Sequence, residues 1–104
     1  MSIQQRRTMQ EFRTTLDPAG VLQSAKQFFN RRNGIYSAFL EKEGPTFVNL
    51  RGQGGEELLI AAERSEEATL VTGSSYLFDQ QIARFFATLP PATTSVASLG
   101  SRIP

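Results

Sequence analysis

Across residues 35–76 the chain offers four stretches suited to β-strands, and no connection between them exceeds four residues. A parallel return to the same sheet needs a crossover of a dozen or more residues, so these four must run as antiparallel neighbours. Residues 35–43 carry aromatic and branched side chains and are broken by Gly44-Pro45, a strong turn dipeptide. Residues 46–51 follow, with Thr46, Val48 and Leu50 on one side and Phe47, Asn49 and Arg51 on the other. Gly52-Gln53-Gly54-Gly55 turns the chain into a third strand at 56–64. The polar Ser65-Glu66-Glu67-Ala68 then turns it into a fourth at 69–76.

The third of these strands adds a constraint of its own. Leu58, Ile60 and Ala62 point one way and Leu59 and Ala61 the other, so its middle is apolar on both faces. A half-exposed antiparallel strand alternates apolar with polar. Either this strand is central, with small residues on its outer face, or its second face meets a partner subunit or lines a cavity. Leu59 and Ala61 are therefore the candidate interface residues.

The flanks supply the cover for this sheet. Residues 10–16 alternate, with Phe12, Thr14 and Leu16 on one face, which predicts a short strand with one buried side. Asp17-Pro18 marks a helix start: the carboxylate can accept a free first-turn N–H, and proline gives up a donor that would go unsatisfied there. Val21, Leu22, Ala25, Phe28 and Phe29 form one apolar stripe. Arg31-Arg32 suit the negative end of the helix dipole, and Asn33-Gly34 suits a left-handed C-cap. After the meander, Ile82, Phe85, Phe86 and Leu89 predict a second helix that ends before Pro90-Pro91, with Ser74, Ser75 or Asp79 as its cap. The expected organisation is a mobile arm at 1–9, one α+β domain at 10–91 and a disordered tail at 92–104.

Composition removes several chemistries. The 104 residues make one domain. There is no cysteine and no histidine, which excludes disulfides, thiolate nucleophiles, Cys/His metal sites and histidine-dependent triads. A net charge of +1 is too small to drive nucleic-acid or membrane binding by itself. The charge is unevenly spread: residues 1–34 hold six basic and two acidic groups, whereas 35–76 hold three and seven. No apolar run approaches the length of a membrane span, and the N-terminus has no apolar signal segment, so a cytoplasmic location is the expectation.

Four groups of residues invite a functional reading. Arg51-Gly52-Gln53-Gly54-Gly55 resembles a phosphate loop only in its glycines; a strand led by Glu56-Glu57 follows where a phosphate loop needs Lys-Ser/Thr and a helix, so a hairpin turn is expected. Glu56, Glu57, Glu63, Glu66 and Glu67 flank a strand and fill a turn, which suits a solvated edge rather than converging acids. Tyr36, Tyr76, Phe85 and Phe86 are the candidate ligand-binding residues, either as hydroxyls at the strand ends or as walls of an apolar pocket under the second helix. Arg6, Arg7, Arg13, Arg31 and Arg32 form a basic set without interleaved aromatic stacking partners, so nucleic acid is not the expected partner.

The element order β-α-β-β-β-β-α resembles the TATA-binding-protein-like, or helix-grip, architecture, and looks like a reduced version of the START-related (SRPBCC) lipid-binding and cyclase proteins. The matching pieces are the strand from Phe12 to Leu16 running into Asp17-Pro18, the meander, and the closing helix with Ile82, Phe85 and Phe86. The resemblance implies a five-stranded antiparallel sheet with two helices on one face, and an apolar small molecule as ligand. It carries no site residue across, because it is one of element order. The expected protein is a non-catalytic binding or assembly module that self-associates as a homodimer through its sheet, with no cofactor and no metal. A nucleic-acid-binding domain using the basic N-terminal third and a small cyclase-type enzyme are the alternatives.

Overall fold

The computed structural model describes residues 8–30, 38–75 and 78–92. It contains β1 (Thr8–Thr14), α1 (Pro18–Asn30), β2 (Ala38–Gly44), β3 (Phe47–Gly52), β4 (Glu57–Ser65), β5 (Ala68–Ser75) and α2 (Asp79–Ala87). The strands form one antiparallel sheet in the order β1-β5-β4-β3-β2. This is the order that short connections demand: the meander lays β2 to β5 side by side, and β1, separated from β2 by a helix, takes the free edge beside β5. Expected strand limits shift by one or two residues, except at the start of the second strand, where 35–37 lie outside the described residues; the first strand occupies 8–14 rather than 10–16. The Arg31-Arg32 and Asn33-Gly34 signals lie outside the described residues, as do residues 1–7 of the expected arm at 1–9 and residues 93–104 of the expected tail at 92–104.

Both helices lie on the face presented by Leu58, Ile60 and Ala62, all of which are fully buried or nearly so. Helix α1 covers β2, β3 and β4, while α2 covers β1 and β5. The helices meet through Phe85, whose ring centroid lies 5.6 Å from that of Phe28 and 5.7 Å from that of Phe29. Phe86 stacks on Phe12 of β1 at 5.5 Å. One core therefore joins both helices to every strand. Gly73 of β5 lets α2 come close: a Cβ there would sit 2.7 Å from Ile82 Cγ2.

The start of α1 follows the local chemistry. Asp17 Oδ1 accepts from the Gly20 amide at 2.9 Å, and Pro18 opens the helix. Helix α2 starts differently from expectation. Phe78 takes the cap position without a side-chain hydrogen bond, and Asp79 stands in the first turn, where its charge favours the dipole. Ser75 Oγ instead accepts from the Phe78 amide at 3.1 Å and turns the chain out of β5.

The segment after α2 is anchored. Thr15 N donates to Pro90 O and Ala92 N donates to Arg13 O, so 90–92 covers part of the outer edge of β1. The buried Thr14 hydroxyl donates to the same Pro90 carbonyl at 2.5 Å. Ala92, placed in the tail by its composition, is buried and belongs to this anchor.

Candidate functional site

Opposite the helices the sheet presents a second face, which no described residue covers as a layer. The pairing registers arrange it in rows across the strands. Met9, Ser74, Leu59, Asn49 and Lys42 form one row. Glu11, Thr72, Ala61 and Phe47 form the next, and Arg13, Leu70 and Glu63 the one beyond. On the other side of the first row stand Phe39, Arg51 and Glu57. Leu59, Ala61, Phe47 and Leu70 are half-buried neighbours at its centre. Met9 and Phe39 stand at opposite edges, 66% and 56% exposed.

Between β3, β4 and β5 this face dips into an open depression of about 140 Å³, lined by Thr46, Ala61, Ala62, Glu63, Leu70 and Thr72. Ala61, Ala62 and Leu70 supply the apolar part of its lining, and Thr46, Thr72 and Glu63 the polar part. Among the described residues the Glu63 carboxylate has no ion-pair partner, and the side chain is exposed.

The polar groups around the apolar centre are tied into the sheet. Arg51 holds Glu41 of the edge strand through Nε at 2.9 Å and Nη2 at 2.7 Å, and its Nη1 donates to Gly55 O at 3.0 Å. Glu41 is in reach because the β2–β3 register slips between Leu40 and Lys42. Asn49 Nδ2 donates to Glu57 Oε2 at 3.0 Å, while Asn49 Oδ1 is buried with no partner among the described residues. Arg13 Nη2 donates to Ser65 O at 3.4 Å and stands 4.0 Å from Glu66.

The residues singled out from sequence divide clearly. Leu59 and Ala61 lie together on the helix-free face, where Ala61 lines the depression and pairs with Phe47, and Leu59 pairs with Asn49. Phe85 and Phe86 lie on the other side of the sheet, inside the core, where the rings of Phe12, Phe28 and Phe29 pack on them. Tyr36 and Tyr76 fall outside the described residues, as do Arg6, Arg7, Arg31 and Arg32.

The glycine-rich turn closes on itself. Gly52 N donates to Glu56 O, and Gly54 N donates to Glu56 Oε1 at 3.0 Å. The loop's own carboxylate thus takes the place an external anion would need, and Gly55 supplies the left-handed residue at φ +92°. Of the other glutamates, Glu57 and Glu63 share the helix-free face at opposite ends of β4, and Glu66 and Glu67 form the turn into β5. Among the described residues no three acidic side chains converge on a metal-sized site.

Sequence reading missed Phe39, Phe47, Leu70 and Met9 as members of one surface. Each lies on a different strand, so only the register places them beside Leu59 and Ala61. The signal was present in the period-2 pattern once the strand order was known.

Comparison with protein-family models, with curated proteins and with solved structures finds no match to this chain.

Proposed function

We propose that the protein is a small non-catalytic assembly module whose helix-free sheet face packs against a second copy. The observation that carries this reading is the apolar centre of that face. Leu59 and Ala61 of the middle strand, with Phe47 and Leu70 beside them, form a continuous patch rimmed by Glu11, Arg13, Lys42, Arg51, Glu57 and Glu63. An apolar centre inside a polar rim is the anatomy of a protein interface.

A second copy suits it better than an unrelated partner, for two reasons. β4 is the middle of the five strands, so a two-fold axis over it lays the apolar centre on itself. The rim charges also alternate in sign, with Glu11 next to Arg13 along β1 and Glu41 next to Lys42 along β2, so neither edge repels the other. The size is modest. Strands ~4.8 Å apart and ~20 Å long give a projected face on the order of 500 Å². Side-chain relief brings that toward the ~800 Å² per partner of a standard interface, which fits a dimer of roughly micromolar affinity.

Light scattering on chromatographically purified protein tests the reading. The expected mass at tens of micromolar is twice the 11.5 kDa of one chain. Leu59→Lys should give a folded monomer. A wild-type monomer at that concentration would remove the proposal, and native mass spectrometry would then show whether an apolar small molecule occupies the face instead.

A further inference from the structure

Resting on that reading, we propose how the two copies interlock: Phe39 of each copy enters the partner's depression, and Arg51 beside it faces the partner's Glu63. Three features of the face converge on this contact.

The first is an unspent aromatic. Phe39 pairs with Arg51 across β2 and β3, which puts its ring on the helix-free face, yet more than half of it is exposed at the edge of the sheet. A phenyl ring is a large apolar payload, and aromatics of this kind anchor interfaces by filling a pocket on the partner.

The second is the receptor. The depression of about 140 Å³ is close to the ~150 Å³ of a core cavity that accepts benzene, so its size suits one phenyl ring. Ala61, Ala62 and Leu70 give its lining an apolar side for the ring, with the polar Thr46, Thr72 and Glu63 around it. One copy's Phe39 cannot reach its own depression. Phe39 pairs with Arg51, which stands five residues along the chain from the lining residue Thr46, ~17 Å at ~3.4 Å per residue. A second copy brings knob and hole together, and two-fold symmetry makes the contact twice.

The third is charge. Arg51 uses three of its five N–H donors on Glu41 and Gly55, which leaves two free to face outward. Glu63 stands on the rim of the depression with no ion-pair partner among the described residues. Docking Phe39 into the depression brings this cation beside that carboxylate.

Equilibrium sedimentation of the full chain and its variants separates this contact from the dimer itself. Phe39→Ala should weaken self-association at least ten-fold while leaving the melting temperature close to wild type. Leu40→Ala is the control: Leu40 is its exposed neighbour, but it pairs with Leu50 on the helix side, and the substitution should leave the affinity unchanged. Because the chain has no cysteine, Arg51→Cys with Glu63→Cys reports the contact directly and leaves Phe39 in place. Mild oxidation should give a covalent dimer from the double variant and none from either single one. A wild-type dimer whose affinity is the same in Phe39→Ala, or whose cysteine pair cross-links no more than the single variants, overturns the interlock and leaves the sheet-face dimer standing. A wild-type monomer at tens of micromolar overturns both.

Discussion

Gly73→Ala probes how closely α2 is seated on the sheet, and the structure sets its magnitude. The new methyl would lie 2.7 Å from Ile82 Cγ2, 3.3 Å from Ile82 Cδ1 and 3.4 Å from Ile60 Cδ1. Carbon atoms rest at ~3.5–4.0 Å, so the first contact is short by about an ångström. Ile82 is β-branched on a helix and holds one χ1 rotamer, so its Cγ2 cannot swing aside. The strain must pass to the seat of α2, where Ile82, Phe85 and Phe86 are all buried. Overpacking of this kind costs roughly 1–3 kcal/mol. Restricting the unfolded chain returns about 0.4–1 kcal/mol, because Gly73 does not sit at a positive φ and alanine can adopt its conformation. The net expectation is a loss of roughly 0.5–2 kcal/mol. The decisive measurement is a double-mutant cycle by urea denaturation followed by far-UV circular dichroism, since the chain has no tryptophan. Ile82→Ala alone should cost about 2–5 kcal/mol. In that background Gly73→Ala should be neutral or stabilising, a coupling of at least about 1 kcal/mol. If Gly73→Ala costs the same in both backgrounds, or stabilises the wild type, the close seating of α2 on β5 is not the reason for glycine at this position.

The other expectations follow from burial and hydrogen bonding. Phe85→Ala should cost about 3–5 kcal/mol in chemical denaturation, and Phe28→Ala less, because Phe28 is only partly buried. Leu58→Lys should abolish cooperative unfolding, whereas Leu59→Lys on the opposite face should keep a native-like circular dichroism spectrum and melt within a few degrees of wild type. Asp17→Ala should cost about 1 kcal/mol and Asp17→Asn much less, since the amide oxygen can still accept from Gly20 N. Glu66 holds φ +57°, a left-handed conformation that glycine adopts without strain, so Glu66→Gly should raise stability by up to about 1 kcal/mol in thermal melts. Truncation before Pro90 should destabilise the protein, because it bares the β1 edge and takes away the acceptor of the Thr14 hydroxyl.

Local rules made most of the architecture legible. Short turns leave the meander a single arrangement, Asp17-Pro18 places the start of α1, and the stripe of Ile82, Phe85 and Phe86 places α2. What stayed hidden depended on contacts distant in sequence. The α2 start was ambiguous because Ser75 spends its hydroxyl on Phe78, a choice made by the exit from β5 rather than by helix chemistry. The anchoring of 90–92 on β1 could not be read from two prolines and an alanine, since it rests on backbone groups of Arg13 and Thr15 more than seventy residues earlier. The candidate site was half legible. Leu59 and Ala61 betrayed the second face because they share a strand with Leu58 and Ile60. Phe39, a single aromatic in an edge strand, takes its meaning only from the register that points it away from the helices.

The topology itself explains why the two helices leave that face bare. Each helix is ~10 Å across, so two side by side cover the ~20–24 Å width of a five-stranded sheet on one side. The described chain holds no third layer. A sheet left open to water normally carries polar side chains along its outer face. Here the charged residues keep to the rim, and the middle rows hold Leu59, Ala61 and Phe47 beside the uncharged Asn49, Thr72 and Ser74. Substituting polar residues there would leave the helix-side core untouched, because residues i and i+1 of a strand face opposite ways. Folding alone therefore places no demand for apolar side chains at the centre of this face, and its most exposed aromatic, Phe39, contributes little to the core. The association proposed above would meet a demand that the fold does not make, since the apolar centre and the alternating rim charges of this face are complementary to a second copy of themselves.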